Sequence, residues 1–117
     1  MHELSIATSI LNTVLHEMQN RNLVQVNAIV TRIGSFSTIE PDSLQFCFEA
    51  IKADTPLAKT ELKIETVPLE CKCRACDHEF AVESYVFTCP SCHSTQLEIV
   101  KGEELDIAYL EVEDDKN

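Results

Sequence analysis

The chain has 117 residues, with 9 Lys and Arg against 20 Asp and Glu, for a formal net charge of −11. Such acidity excludes a surface built to displace counterions from phosphates, and it disfavours nucleic acid and anionic membranes as partners. Tryptophan is absent and glycine occurs only twice, so neither a glycine-rich phosphate loop nor an aromatic stacking platform is available.

The N-terminus, Met1-His2-Glu3-Leu4-Ser5-Ile6-Ala7, carries neither a cationic segment nor a continuous apolar run. It therefore reads as neither a signal peptide nor a membrane span, and a cytoplasmic protein is expected. In a reducing compartment, six cysteines are better read as metal ligands and free thiols than as disulfides.

Leu4, Ala7, Leu11, Val14, Leu15 and Met18 repeat at the three-and-four spacing of one helical face, and Asn20-Arg21-Asn22 ends that helix. Residues 23 to 33 are rich in β-branched side chains, with Val24, Val26, Ala28 and Val30 on one side, until Gly34-Ser35 breaks the strand. Pro41-Asp42-Ser43 opens a second helix on Leu44, Phe48 and Ile51, in which Cys47, between two phenylalanines, is expected to be a buried thiol. Asp54-Thr55-Pro56 stops it.

Residues 61 to 67 alternate as a strand closed by Pro68, and residues 105 to 112 form a late strand running into the acidic tail Glu113-Asp114-Asp115. The fold expected is α+β: a small three-stranded sheet with two helices, plus an inserted zinc-ribbon-like module. One domain would cover residues 1–69, completed by 98–117, and the module would cover 70–97, with Pro68-Leu69-Glu70 as a hinge.

The module holds the strongest chemical signal. Cys73-Arg-Ala-Cys76 and Cys89-Pro-Ser-Cys92 are two tight knuckles separated by twelve residues, and each presents two sulfurs. Four thiolates at the corners of a tetrahedron suit Zn²⁺ in a closed structural site, with no open position for substrate. Iron in a rubredoxin-like electron carrier is the minor alternative, because tetrahedral sulfur also suits iron; a single redox-active pair would not need a matching second one. Residues 77–88 are expected to form a small hairpin between the knuckles.

Cys71, two residues ahead of the first knuckle, reads as a spare thiol. His78 and His93 follow the two knuckles; each reads as a surface residue, with replacement of a thiolate in a strained or acidified site as the sharper alternative. His16 reads as solvated. Nothing in the sequence brings Glu17, Glu40 or Asp42 into a pocket for acid–base work, so an enzyme is not expected.

His2 carries a second, weaker signal. Its imidazole lies within reach of the α-amine of Met1 and the amides around Glu3, a set of nitrogens suited to a planar arrangement preferred by Ni²⁺ and Cu²⁺.

Met1-His2-Glu3-Leu4-Ser5-Ile6, Ile33-Gly34-Ser35-Phe36, Cys47-Phe48-Glu49 and the knuckle Cys89-Pro90-Ser91-Cys92-His93-Ser94 occur together here. Over essentially the whole chain, this combination resembles the HypA/HybF family of hydrogenase maturation factors. The resemblance implies a nickel metallochaperone that helps deliver Ni²⁺ to the large subunit of [NiFe] hydrogenase, working with a nickel-handling maturation GTPase. It also implies nickel on His2, supported by Glu3 and nearby backbone nitrogens, and structural Zn²⁺ on Cys73, Cys76, Cys89 and Cys92. It leaves room for a homodimer. A zinc-ribbon module acting on nucleic acid or transcription machinery is the alternative, with the charge against it.

Overall fold

A computed structural model describes residues 2–112; Met1 and the acidic tail read from the sequence lie outside the described residues. The elements run α1 (Glu3–Arg21), β1 (Val26–Gly34), α2 (Pro41–Lys52), β2 (Glu61–Val67), β3 (Glu70–Cys73), β4 (Glu79–Ala81), β5 (Leu97–Lys101) and β6 (Leu105–Val112). They form two three-stranded sheets, in the orders β2-β1-β6 and β4-β3-β5. By its contacts, the chain divides into two compact units. One holds the residues up to Arg32, Thr38–Glu65 and those from Asp106; the other holds Ile33–Ser37 and Thr66–Leu105.

In the first unit, α1 packs on α2. α1 buries Ala7, Ile10, Leu11, Val14 and Met18. Leu4, expected on that face, is 54% exposed, because the helix begins only one residue earlier and its first turn overhangs the core. Glu3 in the first turn and Arg21 in the last oppose the helix dipole favourably at both ends. Asn22 then adopts a left-handed backbone with φ 55°, a conformation its short polar side chain tolerates. α2 begins on Pro41, whose missing N–H costs nothing at that position, and the Glu40 carboxylate accepts from the Asp42 N–H at 3.0 Å.

β1 starts later than its β-branched run, so Val24 lies ahead of it and is 90% exposed. From Ala28 to Thr31 every residue of β1 is buried, as befits the middle strand of the order β2-β1-β6. The buried polar residues Thr60 and Lys52 are satisfied, whereas the buried Gln45 Oε1 has no hydrogen-bond partner among the described residues. The Thr60 hydroxyl donates to the Val26 carbonyl at 2.6 Å, and the Lys52 ammonium donates to the Thr60 carbonyl at 2.7 Å. Phe48 and Leu44 are fully buried. Phe48→Ala is therefore expected to cost about 3–5 kcal/mol, a large share of the stability of a small domain. The check is a lower urea midpoint with an unchanged slope.

In the second unit, β3 is the central strand and pairs antiparallel with both neighbours, so that Cys71 lies opposite Phe80 on one side and Ile99 on the other. Cys71 is fully buried, and burial pushes its thiol up. The expected hairpin within residues 77–88 does not form. β4 turns back onto β3 instead, because the first knuckle already reverses the chain, and no strand lies between Ala81 and Cys89.

A strap, Ile33–Ser37, completes this unit. The Gly34 N–H donates to the Glu104 carbonyl at 2.7 Å, Ser35 to Val67 at 2.8 Å and Phe36 to Gly102 at 2.8 Å. The Phe36 ring meets Phe87 edge-on at 6.0 Å. Leu69, within the segment expected to act as a hinge, is buried against Gly102.

Candidate metal sites

The two knuckles are built alike. In the first, the Asp77 N–H donates to the Cys73 carbonyl and the Cys73 N–H to the His78 carbonyl, both at 2.8 Å. In the second, His93 donates to Cys89 at 2.8 Å and Cys89 to Ser94 at 2.9 Å. The equivalent residues Asp77 and His93 share a left-handed backbone, with φ 65° and 64°. Each knuckle is thus a tight turn whose backbone bonds aim two thiols to one side.

The four sulfurs of Cys73, Cys76, Cys89 and Cys92 lie within 4.8 Å of one another. The shortest contacts cross between knuckles, Cys73 to Cys92 and Cys76 to Cys89, each at 3.6 Å. A tetrahedron with metal–sulfur bonds of about 2.3 Å has sulfur–sulfur edges of about 3.8 Å, so the quartet fits a tetrathiolate metal ion. Cys71, His78 and His93 are not in the group. His78 stacks on Phe80 with ring centroids 5.8 Å apart.

The knuckle backbone also sorts the protons. Burial pushes the Cys73 thiol up, but the N–H groups of Cys76 and Ala75, with the neighbouring thiols, outweigh it and bring it down to about 7. At Cys76 the His78 N–H pulls downward, but burial and the contacts with the other three thiols push it up to about 12. The second knuckle repeats this. At Cys89 burial is outweighed by the N–H groups of Cys92 and Ser91, which lower it; at Cys92 the Ser94 N–H is outweighed by the Cys73 thiol and burial, which raise it. Within each knuckle the first thiol is therefore shifted towards ionisation and the second away from it.

His2 caps the N-terminus of α1 with extended backbone, and its side chain makes no cap bond. It lines a shallow groove of about 460 Å³ together with Glu3, Leu4, Asp42, Ser43, Phe46 and Cys47. The Glu3 carboxylate is already engaged: it accepts from the Glu40 N–H at 2.9 Å, which lowers its pKa and ties the start of α1 to the start of α2. Asp42, read from sequence as a solvated residue, shares this groove with His2. No local pattern announces that, because the two are brought together by the packing of α1 on α2. Cys47, expected to be buried, is only half-buried and faces the groove, while Phe48 takes the core position and Phe46 is 76% exposed.

A four-thiol cluster of tetrahedral size on a zinc-ribbon-like module, carried by a small α+β chain, defines a metal-binding protein. A family model described as hydrogenase/urease nickel incorporation, metallochaperone, hypA matches residues 1–112, and the chain belongs to that family. A hydrogenase maturation factor HypA from Geotalea uraniireducens (strain Rf4) is 40% identical over 113 residues, spanning 97% of this chain and all of that protein. One from Desulfatibacillum aliphaticivorans is 38% identical over 115 residues, spanning 97% of this chain and 88% of that protein.

The fold is also that of the Ni metallochaperone HypA from Helicobacter pylori in solution, with a TM-score of 0.67 at 24% identity over 96% of this chain and 97% of that one. A second HypA solution structure gives a TM-score of 0.73 at 24% identity, over 96% of each chain. No helix among the described residues is long and apolar enough to cross a membrane.

Proposed function

We propose that this protein is a cytoplasmic nickel metallochaperone that binds Ni²⁺ at its N-terminus and passes it towards the large subunit of [NiFe] hydrogenase, with a nickel-handling GTPase as partner. The observation that carries the reading is His2: an exposed imidazole at the very start of a helix, with a groove beside it, in a chain of the HypA family. The first N–H groups of a helix have no intrahelical acceptor, so the amides of His2 and Glu3 could serve a metal without breaking a helical bond. The Glu3 carboxylate already serves Glu40, so Glu3 would contribute through its backbone nitrogen.

The helix dipole opposes a cation at this end, and the carboxylates of Glu3 and Asp42 offset it. A site made of few donors at an exposed terminus can release its cargo. In this reading, the α+β part of the chain handles nickel and the cysteine module holds Zn²⁺ on Cys73, Cys76, Cys89 and Cys92 as a structural ion. When bound, the zinc would supply folding energy and no reaction chemistry.

Metal analysis after equilibrium dialysis tests the nickel site, using protein whose N-terminus is Met1. The parent should hold roughly one nickel and one zinc per chain, and His2→Ala should lose nickel while keeping zinc and helical signal. Nickel held equally tightly by His2→Ala would refute the N-terminal site.

Zinc uptake should also release protons. Near pH 7, Cys76 and Cys92, whose thiols are raised, give up one each and Cys73 part of another, so at least two are released. Titration calorimetry in buffers of different ionisation enthalpy reads that number directly, and uptake that released no protons would contradict the proton sorting described above.

A further inference from the structure

β2 and β6 are the two edges of the first sheet, and they are protected unequally. β2 presents charges at alternate exposed positions, Glu61, Lys63 and Glu65, and its Leu62 carbonyl accepts from the Gln45 amide of α2 at 2.9 Å. β6 contains no lysine, proline or glycine, the usual devices against edge pairing. Its two acids are drawn to the sheet's own cations, Asp106 to Arg32 at 3.7 Å and Glu111 to Lys63 at 3.1 Å. Among the described residues, no strand lies on its outer side.

A groove of about 580 Å³ lies between α1 and β6, lined by Leu23, Ile107, Ala108, Tyr109, Leu110 and Val112. The Glu17–Arg21 ion pair, at 2.7 Å, stands on its rim. Tyr109 is 51% exposed and Val112 43%. An unpaired strand edge beside apolar pockets is the equipment for taking up one more strand.

We propose that the outer edge of β6 docks an extended segment of a partner protein, apolar at alternate positions and carrying Lys or Arg. The charge follows from the chain. It carries 20 Asp and Glu against 9 Lys and Arg, and the two acids of β6 leave its outer edge without a cation of its own to repel a basic segment. The same acidity argues against a second copy as occupant, since two chains of net charge −11 repel.

The test uses the full chain and synthetic peptides in which Val and Thr alternate, with a Lys pair at either the amino or the carboxyl end to allow for both strand directions. Controls carry Glu for Lys, or a central Pro. Fluorescence anisotropy should show at least one Lys peptide binding about tenfold or more tightly than its Glu counterpart at low salt, a preference that fades at high salt. Hydrogen exchange should show protection of residues 105–112 on binding. Ala108→Pro should abolish binding, and Tyr109→Glu, which spares the backbone, should weaken it by about tenfold. His2→Ala should bind as the parent does, which separates this site from the nickel reading.

The absence of peptide-dependent protection in β6, equal binding of the Pro-containing peptide, or a concentration-dependent dimer seated on β6 would each overturn the proposal.

Discussion

Cys73→Ser is expected to unfold the second compact unit while leaving α1 and α2 paired. The strands of that unit are four, three and five residues long, and its buried hydrophobic residues between Thr66 and Leu105 are Leu69, Cys71, Cys73 and Cys89, two of them in the sulfur quartet. An apolar core that small supplies little against the entropy of ordering about forty residues, whereas a structural zinc is worth about 10–16 kcal/mol in comparable peptides near pH 7. Losing one thiolate also leaves an open coordination position and disrupts the cross-knuckle pairing of Cys73 with Cys92.

Metal analysis should show zinc lost or bound far more weakly, and amide spectra should show dispersion lost from Thr66–Leu105 but kept in the helices. A strong chelator added to the parent should reproduce this. Native melting with zinc absent would show that the metal is not structural. Acid should act in the same direction, because protons compete with zinc for the thiolates and the competition grows as pH falls.

Gly34→Ala should be nearly as damaging, for a steric reason. A β-carbon at Gly34 would lie 1.9 Å from the Gly102 carbonyl oxygen and 2.0 Å from its carbon, both backbone atoms that no rotamer change can move. Relief requires parting the strap from the segment it grips, at the expense of the bonds from Gly34 to Glu104 and from Phe36 to Gly102. A loss of about 4 kcal/mol or more is expected, in the range reserved for disrupted cores and networks. Thermal melting followed by circular dichroism measures it, and a midpoint within a few degrees of the parent would show that the strap yields.

Gly102 is constrained differently. Its φ of 118° is one that L residues rarely adopt, and a β-carbon there would lie 2.7 Å from the Leu69 α-carbon. The chain's two glycines thus meet in one place, one for close approach and one for backbone conformation.

Where local pattern decides structure, the sequence was sufficient. The bounds of β2 and β6 follow from alternation, α1 and α2 from apolar spacing with Asn22 and Pro41 at their ends, and the four-sulfur cluster from two Cys-x-x-Cys turns whose geometry is set within five or six residues. The family resemblance rested on short motifs of the same kind, and the match over residues 1–112 agrees with it.

What spacing could not reveal depends on segments far apart in the chain. Ile33–Ser37 reads locally as the end of a strand, yet its backbone bonds run to Val67, Gly102 and Glu104. Cys47 reads as a core thiol, but the packing of α1 on α2 gives the core to Phe48 and turns Cys47 towards the groove that His2 and Asp42 share.

Local chemistry picked out the candidate metal ligands: thiols in tight turns, and the proposed imidazole of His2. Only the tertiary structure decided that Asp42 and Cys47 line the His2 groove, and that β2 and β6 are the edges of the first sheet. Those outcomes depend on which surfaces are covered when helices and strands distant in sequence pack, and no periodicity within a single segment encodes that.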